Sequence, residues 1–284
     1  MRQVAILSGK GGTGKTTVAS SLAALAGRTV IADCDVEASN MPLLLNPEIR
    51  ERREFETRKA EIDPKSCLRC GLCIEECRFD AIRDFQVDPV KCEGCGVCAY
   101  ICPTGAARLK PRVSGYLYVS ETRYGPLCHA DLLPGESSSG RLVSLVREMA
   151  RAVALERGLD LILIDGAPGI GCPVIASVTG VDLGVIVTEP SMSGLHDMER
   201  ALHLLRHFNV QPLIVINKYD LNIEMARRIR EFCDEEGVEV AALIPFDKAV
   251  VEAMLRGMTI IEYESKGEVS KELRRIWDVI QKFL

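Results

Sequence analysis

The sequence lacks several features that would assign the protein to a membrane, an extracellular space or a nucleic acid. No stretch approaches the roughly 18 uncharged apolar residues that span a bilayer. The first residues lead directly into the strand-like run RQVAILS, without the architecture of a signal peptide. No long basic run is present and the net charge is −5, which argues against non-specific nucleic-acid binding. We therefore expect a cytoplasmic protein that binds neither nucleic acid nor membrane.

Cysteine, by contrast, is abundant, with 12 among 284 residues. In a chain without a secretion signal, this number indicates metal ligation rather than disulfides. Eight of the cysteines lie in two runs, CLRCGLCIEEC and CEGCGVCAYIC. Both runs have the spacing C-x₂-C-x₂-C-x₃-C, which is the run of bacterial ferredoxins that bind two [4Fe–4S] clusters.

The ferredoxin pattern also predicts which cysteines act together. Three thiolates of one run surround one cluster, and the fourth cysteine of that run ligates the other cluster. We therefore expect one cluster on Cys67, Cys70, Cys73 and Cys102, and a second cluster on Cys92, Cys95, Cys98 and Cys77. Zinc is the alternative, but eight cysteines in this doubled pattern exceed ordinary zinc spacing.

The rest of the sequence alternates apolar runs of strand length with helix-like stretches. QVAIL, LDLILID and QPLIVIN are examples of the apolar runs. This alternation predicts an α/β fold with a mostly parallel sheet and helices on both faces. The alternation breaks where the cysteine runs lie. We therefore predict one P-loop domain formed by residues 1–58 and 111–284, and a small α+β ferredoxin domain, residues 59–110, inserted into it.

A phosphate-binding motif follows the first predicted strand. Gly9–Thr16 reads GKGGTGKT and fits G-x-x-x-x-G-K-[ST] between a strand and a helix. In such a loop the backbone N–H groups converge on phosphate, and the helix N-terminus adds a favourable dipole. We expect Lys15 to neutralise the β- and γ-phosphates and the Thr16 hydroxyl to bind Mg²⁺. The predicted nucleotide-binding residues of the loop are Gly9, Gly11, Gly12, Thr13, Gly14, Lys15, Thr16 and Thr17.

The loop also carries a second lysine, Lys10, and KGGTGKTT thereby resembles the deviant Walker A loop of the MinD/ParA, Mrp and nitrogenase iron-protein superfamily of P-loop ATPases. In that superfamily the additional lysine reaches the nucleotide of a partner subunit. The resemblance therefore implies a dimer, either of identical subunits or with a related subunit. It also implies a catalytic role for Lys10.

The resemblance continues in two acidic segments. DCDVEASN, in which Asp33 and Asp35 follow the second strand, is similar to the switch I region of the superfamily. Asp165, at the end of LILID, resembles the Walker B carboxylate. The resemblance implies that Asp35 activates the attacking water and that Asp165 holds Mg²⁺ together with Thr16.

The segment NKYD, Asn217–Asp220, concerns the choice of base. It matches N-K-x-D, whose aspartate binds guanine in GTPases. In the MinD-like ATPases the equivalent strand end supplies an asparagine to adenine. The resemblance of the rest of the chain favours ATP, with GTP as the alternative, and Asn217 and Asp220 are the predicted base-binding residues.

Two further cysteines resemble ligands of a shared site. Cys172 follows Asp165 at the offset of a cluster ligand in the nitrogenase iron protein, and Cys128 lies in the comparable earlier region. The resemblance implies a third cluster or metal site at a dimer interface. The alternative is that both residues are buried or inert thiols.

These predictions combine into an ATP-hydrolysing iron–sulfur protein whose cofactors are ATP, Mg²⁺ and two [4Fe–4S] clusters. The leading hypothesis is that nucleotide-driven switching of a dimer controls electron transfer to a redox partner. The alternative is assembly or delivery of clusters to an apo-protein, as in Mrp-like relatives. A third hypothesis is MinD-like positioning at a membrane through the C-terminal helix KELRRIWDVIQKFL, which we otherwise expect to dock on the core.

Overall fold

The computed structural model describes residues 1–136 and 139–284, which form two compact units. Unit 1 comprises Met1–Arg52, Leu117–Asp131 and Ser138–Leu284, and unit 2 comprises Arg53–Tyr116 and Leu132–Ser137. Unit 2 therefore extends beyond the predicted segment 59–110 at both ends. The two chain boundaries near residues 52 and 116 fall inside long strands, which is why they do not coincide with the predicted ends of the segment.

Strands and helices alternate through most of unit 1. In chain order the elements of the described residues are β1 (Arg2–Ser8), α1 (Lys15–Ala26), β2 (Val30–Asp33), α2 (Met41–Leu45), β3 (Glu48–Ile62), α3 (Leu72–Glu75), β4 (Ile82–Arg83), β5 (Gln86–Val87), α4 (Val97–Tyr100), β6 (Ala107–Thr122), β7 (Gly125–Leu132), α5 (Gly140–Arg157), β8 (Leu161–Pro168), α6 (Cys172–Val178), β9 (Leu183–Thr188), α7 (Met192–His207), β10 (Gln211–Asn217), α8 (Ile223–Glu235), β11 (Val240–Ile244), α9 (Lys248–Leu255), α10 (Ile260–Tyr263) and α11 (Glu268–Gln281). A 3₁₀ turn at Tyr219–Leu221 follows β10.

Nine of the described strands form one sheet in the order β11-β10-β9-β1-β8-β2-β7-β6-β3. Each neighbouring pair from β11 to β7 is parallel. Consecutive residues Val4 to Leu7 of β1 are all fully buried. Because side chains alternate between the two faces of a strand, both faces of the sheet must be covered at this point. This confirms the predicted α/β fold with a mostly parallel sheet.

The last helix, α11, belongs to the core of unit 1. It buries Val269, Leu273, Ile276 and Ile280 in the same apolar cluster as Val18 and Leu22 of α1. The amphipathic pattern of the C-terminal sequence therefore reflects packing on the core, as predicted. Within residues 1–136 and 139–284, no helix is both long and apolar enough to cross a membrane.

A bidentate ion pair fixes the turn between β6 and β7. Arg123 Nε and Nη2 lie 2.6 and 2.9 Å from the two carboxylate oxygens of Glu262. The same guanidinium donates hydrogen bonds to the carbonyl oxygens of Leu44, Leu45 and Gly257. Burial alone would raise the pKa of Glu262, but hydrogen bonds from Arg123, Tyr124 and the Thr259 N–H, together with the Arg123 charge, outweigh it and lower the pKa to about 2. One arginine thus joins this turn to the ends of α2 and α9 and to α10.

Unit 2 contains little regular structure apart from its parts of β3 and β6. Helices α3 and α4 are single turns, and β4 and β5 pair antiparallel. Asp84 and Phe85 join these short strands with φ of 44° and 61°, the left-handed conformation of a two-residue hairpin turn. The buried residues of the apolar cluster here are Ala60, Ala81 and Cys92. Such a small apolar core contributes little to stability, so a unit of this kind depends on additional bonds.

Candidate functional site

The phosphate-binding loop connects β1 to α1, and its glycines are required by its geometry. Gly14 has a φ of 94°, and a Cβ at this position would lie 2.3 Å from Nδ2 of Asn217. Asn217 uses that nitrogen to donate a hydrogen bond to the Thr13 carbonyl oxygen at 2.7 Å. Lys218 Nζ donates to the carbonyl oxygen of Gly12 at 3.0 Å. The segment predicted to bind the base therefore also holds the phosphate-binding loop in place. Lys218, which was not among the predicted site residues, provides one of these two hydrogen bonds.

Lys15 lies at the start of α1 between two carboxylates. Its Nζ is 2.8 Å from Asp165 Oδ1 and 3.2 Å from Asp35 Oδ2. Burial disfavours the charged ammonium, but the two carboxylates outweigh this effect and raise the pKa of Lys15. Burial also raises the pKa of Asp35, and Lys15 counteracts only part of that rise. The three residues predicted from separate motifs thus meet at one point.

Asp33 is a member of this cluster that sequence analysis noted without assigning it a role. It ends β2 opposite Asp165 in β8, and it accepts hydrogen bonds from Ser39 Oγ at 2.7 Å and from the Asp35 N–H at 3.1 Å. Burial, followed by the nearby Asp165 carboxylate, raises the pKa of Asp33 to about 7. The parallel register of β2 and β8 explains this proximity, and register is not visible in the sequence.

Two buried polar atoms at this site have no hydrogen-bond partner among the described residues: Asp165 Oδ2 and Thr13 Oγ1. A buried oxygen without a partner costs free energy comparable to a lost hydrogen bond. Donors or a cation supplied by a ligand would remove that cost. The donor set of carboxylate and hydroxyl oxygens is of the kind that Mg²⁺ prefers.

The second loop lysine, Lys10, contacts residues that follow β9. Its Nζ lies 2.6 Å from Glu189 Oε1, 2.9 Å from Ser193 Oγ and 3.4 Å from Ser191 Oγ. Lys218 Nζ approaches the other oxygen of Glu189 at 3.7 Å. Glu189 belongs to none of the sequence motifs, although its position just after a parallel strand beside β1 is where such sheets bind ligands.

A cleft of about 1,220 Å³, counted with the solvent at its mouth, opens beside the loop. Its polar lining residues include Lys15, Thr16, Asp35 and Asn40, and its apolar lining residues include Ile244, Pro245, Phe246, Val250, Val251 and Met254. Asp165 is only 1% exposed and lies behind Lys15, outside the lining of the cleft. A phosphate chain and a planar base would have matching surroundings in such a cleft.

Asp220 is in a different position from the one expected of a base-binding residue. Its Oδ1 accepts a hydrogen bond from the Phe246 N–H at 2.7 Å, and the side chain does not line the cleft. Asn217, by contrast, does line the cleft. Of the two predicted base-binding residues, the structure therefore brings only Asn217 to the cavity.

In unit 2, the eight cysteines of the two runs surround two cavities. We call site 1 the cavity of about 340 Å³ lined by Cys67, Cys70, Cys73 and Cys102, and site 2 the cavity of about 350 Å³ lined by Cys77, Cys92, Cys95 and Cys98; both volumes include open solvent. The fourth cysteine of each run lies with the first three cysteines of the other run. These eight cysteines are not joined by disulfides.

The cysteines of each site border a cavity and do not converge on one point. Across the described parts of the chain, no three His, Cys, Asp or Glu side chains are arranged closely enough to hold a single metal ion. A cluster of four irons and four sulfides is larger than one ion, so the thiolates around it stay further apart. Gly94 permits the close packing next to site 2, because a Cβ there would lie 1.9 Å from the Arg58 carbonyl oxygen.

Comparison with known proteins identifies the α/β unit. Residues 4–260 match the CobQ/CobB/MinD/ParA nucleotide binding domain family. This chain belongs to that family. An uncharacterized protein of Methanocaldococcus jannaschii is 35% identical over 286 residues, covering 99% of this chain and 97% of the relative. The assignment confirms the prediction of a P-loop ATPase of the MinD/ParA type.

Two further comparisons place this CobQ/CobB/MinD/ParA family member among its relatives. The septum site-determining protein MinD from Pyrococcus horikoshii, whose structure was solved as a complex with Mg-ADP, has the same fold. The two structures superpose with a TM-score of 0.63. The chains are 20% identical, and the match covers 99% of this chain and 96% of that one. An iron–sulfur cluster carrier protein of M. jannaschii is 23% identical over 309 residues, covering 98% of this chain and 85% of that protein.

The two remaining predicted site cysteines of this family member do not meet. Cys128 lies in β7, opposite Ala32 of β2, and is fully buried. Cys172 is the first residue of α6 and is exposed. Of the two alternatives for Cys128, a shared ligand or a buried thiol, its position favours the second, because GPLCHADL forms a strand inside the sheet. The structure therefore offers no Cys128 thiol at a surface where a second subunit could share a metal.

Proposed function

We propose that this protein binds and hydrolyses ATP with Mg²⁺ at the cleft of unit 1 and holds two [4Fe–4S] clusters at sites 1 and 2 of unit 2. One chain contains both kinds of site, and this observation carries the proposal. Lys15, Asp165 and Asp35 form a cluster beside the phosphate loop. Two cavities are each lined by four free cysteines. We further propose that unit 2 is the inserted ferredoxin domain.

At the cleft, each predicted residue has a role that its surroundings support. Lys15 would neutralise phosphate oxygens, the Thr16 hydroxyl and Asp165 would hold Mg²⁺, and Asp35 would orient the attacking water. The unpartnered Asp165 Oδ2 supports the metal role. Lys10 would act on the nucleotide of a second subunit, either an identical chain or a related one.

The geometry supports ATP rather than GTP as the nucleotide. A guanine-reading aspartate needs both carboxylate oxygens directed at the base. Asp220 instead accepts a hydrogen bond from the Phe246 backbone and lies outside the cleft lining. The relative from P. horikoshii, which was crystallised with Mg-ADP, supports the same choice.

At sites 1 and 2, the residues fit clusters better than zinc. Zinc would require four thiolates at about 2.3 Å from one point. The cysteines here surround cavities instead, and Cys70 and Cys95 are exposed whereas Cys73 and Cys92 are buried. Clusters held there would each accept and release one electron. They would also supply the bonds that the small apolar core of unit 2 lacks.

Our leading proposal for the whole protein is electron transfer to a redox partner, controlled by ATP-dependent dimer formation. A second candidate is delivery of clusters to an apo-protein. The similarity to the iron–sulfur cluster carrier of M. jannaschii supports this second candidate, as does the exposure of one thiol in each site.

The proposal is tested by iron and sulfide analysis of anaerobically purified protein. We expect about eight iron atoms per chain, from two clusters of four. Cys70→Ser and Cys95→Ser should each lose cluster iron, whereas Lys65→Ser, an exposed substitution in the same unit, should retain it. Iron near zero, or zinc in its place, would contradict the cluster proposal.

The two candidate functions predict different behaviour of the loaded protein. Control of electron transfer predicts that ATP changes the reduction potential or the rate of electron transfer while the iron stays bound. Delivery predicts that clusters leave for an added apo-ferredoxin. Lys15→Ala should abolish the ATP effect in either case without loss of iron. ATP hydrolysis by purified Lys15→Ala protein at the wild-type rate would contradict the assignment of the cleft.

A further inference from the structure

Sites 1 and 2 come from a sequence repeat, yet their cysteine sulfurs have different surroundings. We infer that a cluster at site 1 has a higher reduction potential than a cluster at site 2, and that the Thr104 hydroxyl is one determinant of the difference. This inference rests on the proposed binding of clusters. It is carried by hydrogen bonds to sulfur and by the charges that line the two cavities.

Site 1 has more hydrogen bonds to its sulfurs than site 2. The Arg69 N–H donates to Cys67 Sγ and the Ala107 N–H donates to Cys102 Sγ, both at 3.4 Å. Thr104 Oγ1 lies 3.7 Å from Cys102 Sγ. Once Cys102 is a thiolate, it cannot donate, so the Thr104 hydroxyl must be the donor.

At site 2, the Ala60 N–H donates to Cys92 Sγ at 3.4 Å. The Ala99 N–H is a second donor, to the Cys98 sulfur. Hydrogen bonds to sulfur stabilise the more negative, reduced form of a cluster and so raise its potential. The N–H groups of Thr104 and Ala106 add to the donors at Cys102, so the larger number of donors at site 1 favours a higher potential there.

The charges that line the two cavities act in the same direction. The residues that line site 1 carry no ionised side chain apart from the cysteines themselves. Glu76 and Glu93 line site 2. Their carboxylates disfavour the addition of an electron, although both residues are exposed and therefore partly screened by water and salt.

Two of the cations near the sites are paired with carboxylates. Next to site 1, Arg69 lies over the ring of Phe85 at 4.6 Å and forms an ion pair with Asp84 at 2.6 Å. Next to site 2, Lys59 donates to the Cys92 carbonyl oxygen and forms an ion pair with Glu136 at 3.0 Å.

The repeat identifies a matched pair of positions. Thr104 is the second residue after Cys102, and Phe79 is the second residue after Cys77. Thr104 lines site 1, and Phe79 lines site 2. Site 1 thus has a hydroxyl where site 2 has an aromatic ring.

The test is a reductive titration of the anaerobic protein, followed by EPR. We expect two reduction waves. Thr104→Val, which has nearly the same shape, should lower the higher potential and leave the lower one unchanged. Thr104→Ser should keep the wild-type value, and Phe79→Thr should raise the lower potential.

Iron analysis of each sample distinguishes a failure of the proposed cluster binding from a failure of the inferred difference in reduction potential. Full iron with coincident waves, or with a higher wave that Thr104→Val does not lower, would overturn this inference alone. Protein without cluster iron would overturn the proposed function, and this inference with it. If Thr104→Val does not retain its iron, the same titration is carried out on Glu93→Gln. This substitution should raise only the lower potential.

Discussion

Lys10 and Glu189 form an ion pair within one chain, with 2.6 Å between Nζ and Oε1. The side chains are 30% and 25% exposed, and Lys218 approaches the second oxygen of the same carboxylate. If Lys10 acts on the nucleotide of a second subunit, this contact must break first. Glu189 then opposes dimer formation by the strength of the pair.

The first prediction follows from this competition. Glu189→Gln should strengthen ATP-dependent dimer formation about two- to fivefold, because a partly exposed ion pair contributes about 0.5–1 kcal/mol. Sedimentation velocity over a range of protein concentrations with ATP measures the effect. Lys10→Gln is the matched control and should weaken the dimer. Equal or weaker association in Glu189→Gln would show that the pair does not restrain Lys10.

The second prediction concerns the cation between two buried carboxylates. Lys15→Met should lower the free energy of unfolding by about 3 kcal/mol at pH 8, because it leaves Asp165 and Asp35 buried without their partner. Lys15 opposes the rise that burial causes in the pKa of Asp35, so without Lys15 this pKa rises further and the loss should be present at pH 8 and diminish towards pH 5.5, as Asp35 binds a proton.

Urea denaturation at the two pH values measures this loss. The double substitution Lys15→Met with Asp165→Asn should recover much of it, and Lys15→Arg should retain most of the stability. A loss of the same size at pH 8 and pH 5.5 would argue that packing, and not charge, is responsible.

The third prediction concerns Asp220. Asp220→Ala should weaken the binding of ATP and GTP in equal proportion, about fivefold, because the Phe246 N–H loses its acceptor and the loop that borders the cleft is less well fixed. Asp220→Asn keeps an acceptor oxygen and should bind both nucleotides almost as the wild type does. Titration with fluorescent nucleotide analogues measures both affinities. A selective loss of GTP binding in Asp220→Asn would instead mean that Asp220 reads guanine.

The fourth prediction concerns the pH dependence of stability. The pKa of Glu262 falls from its ordinary value of 4.5 to about 2 in the folded protein. A lowered carboxyl pKa stabilises the fold above the ordinary value and loses that contribution as the pH falls towards the folded value. Between pH 6 and pH 3, the pair with Arg123 should lose about 1–2 kcal/mol, with allowance for its partial exposure.

Urea denaturation of the wild type and of Glu262→Gln at these two pH values isolates that contribution. The variant should be less stable at pH 6 and should lose less stability on acidification. Parallel pH profiles for the two proteins would contradict the assignment to this pair.

The sequence was sufficient to predict the parts of the structure that depend on local pattern. Continuous apolar runs predicted the parallel sheet, and the spacing of GKGGTGKT predicted the loop that ends at Lys15 and Thr16. Contacts between distant segments could not be predicted in this way. The pair of Lys10 with Glu189 and the bond from Phe246 to Asp220 depend on which strands are neighbours in the sheet, and strand order leaves no mark in a single sequence.

Cys128 is a residue whose burial the sequence left open. GPLCHADL is compatible with a shared ligand and with a buried thiol, because a short segment does not reveal which strands lie beside it. Its neighbours β2 and β6 make it an interior strand, because they cover its backbone hydrogen-bonding groups on both sides. The burial of the thiol follows from that position and not from any property of the cysteine.

The two kinds of site differ in how much of the chain must exist before each can form. The eight cysteines of sites 1 and 2 all lie between Cys67 and Cys102, whereas the contact of Lys15 with Asp165 joins residues 150 positions apart and that of Asn217 with Thr13 joins residues 204 apart. Closure of such long loops is slow relative to local contacts. During synthesis, the ribosome must pass residue 217 before the phosphate loop can acquire its asparagine, long after Cys102 has emerged. If sites 1 and 2 hold the proposed clusters, a nascent chain has all of their cysteines before its nucleotide site is complete.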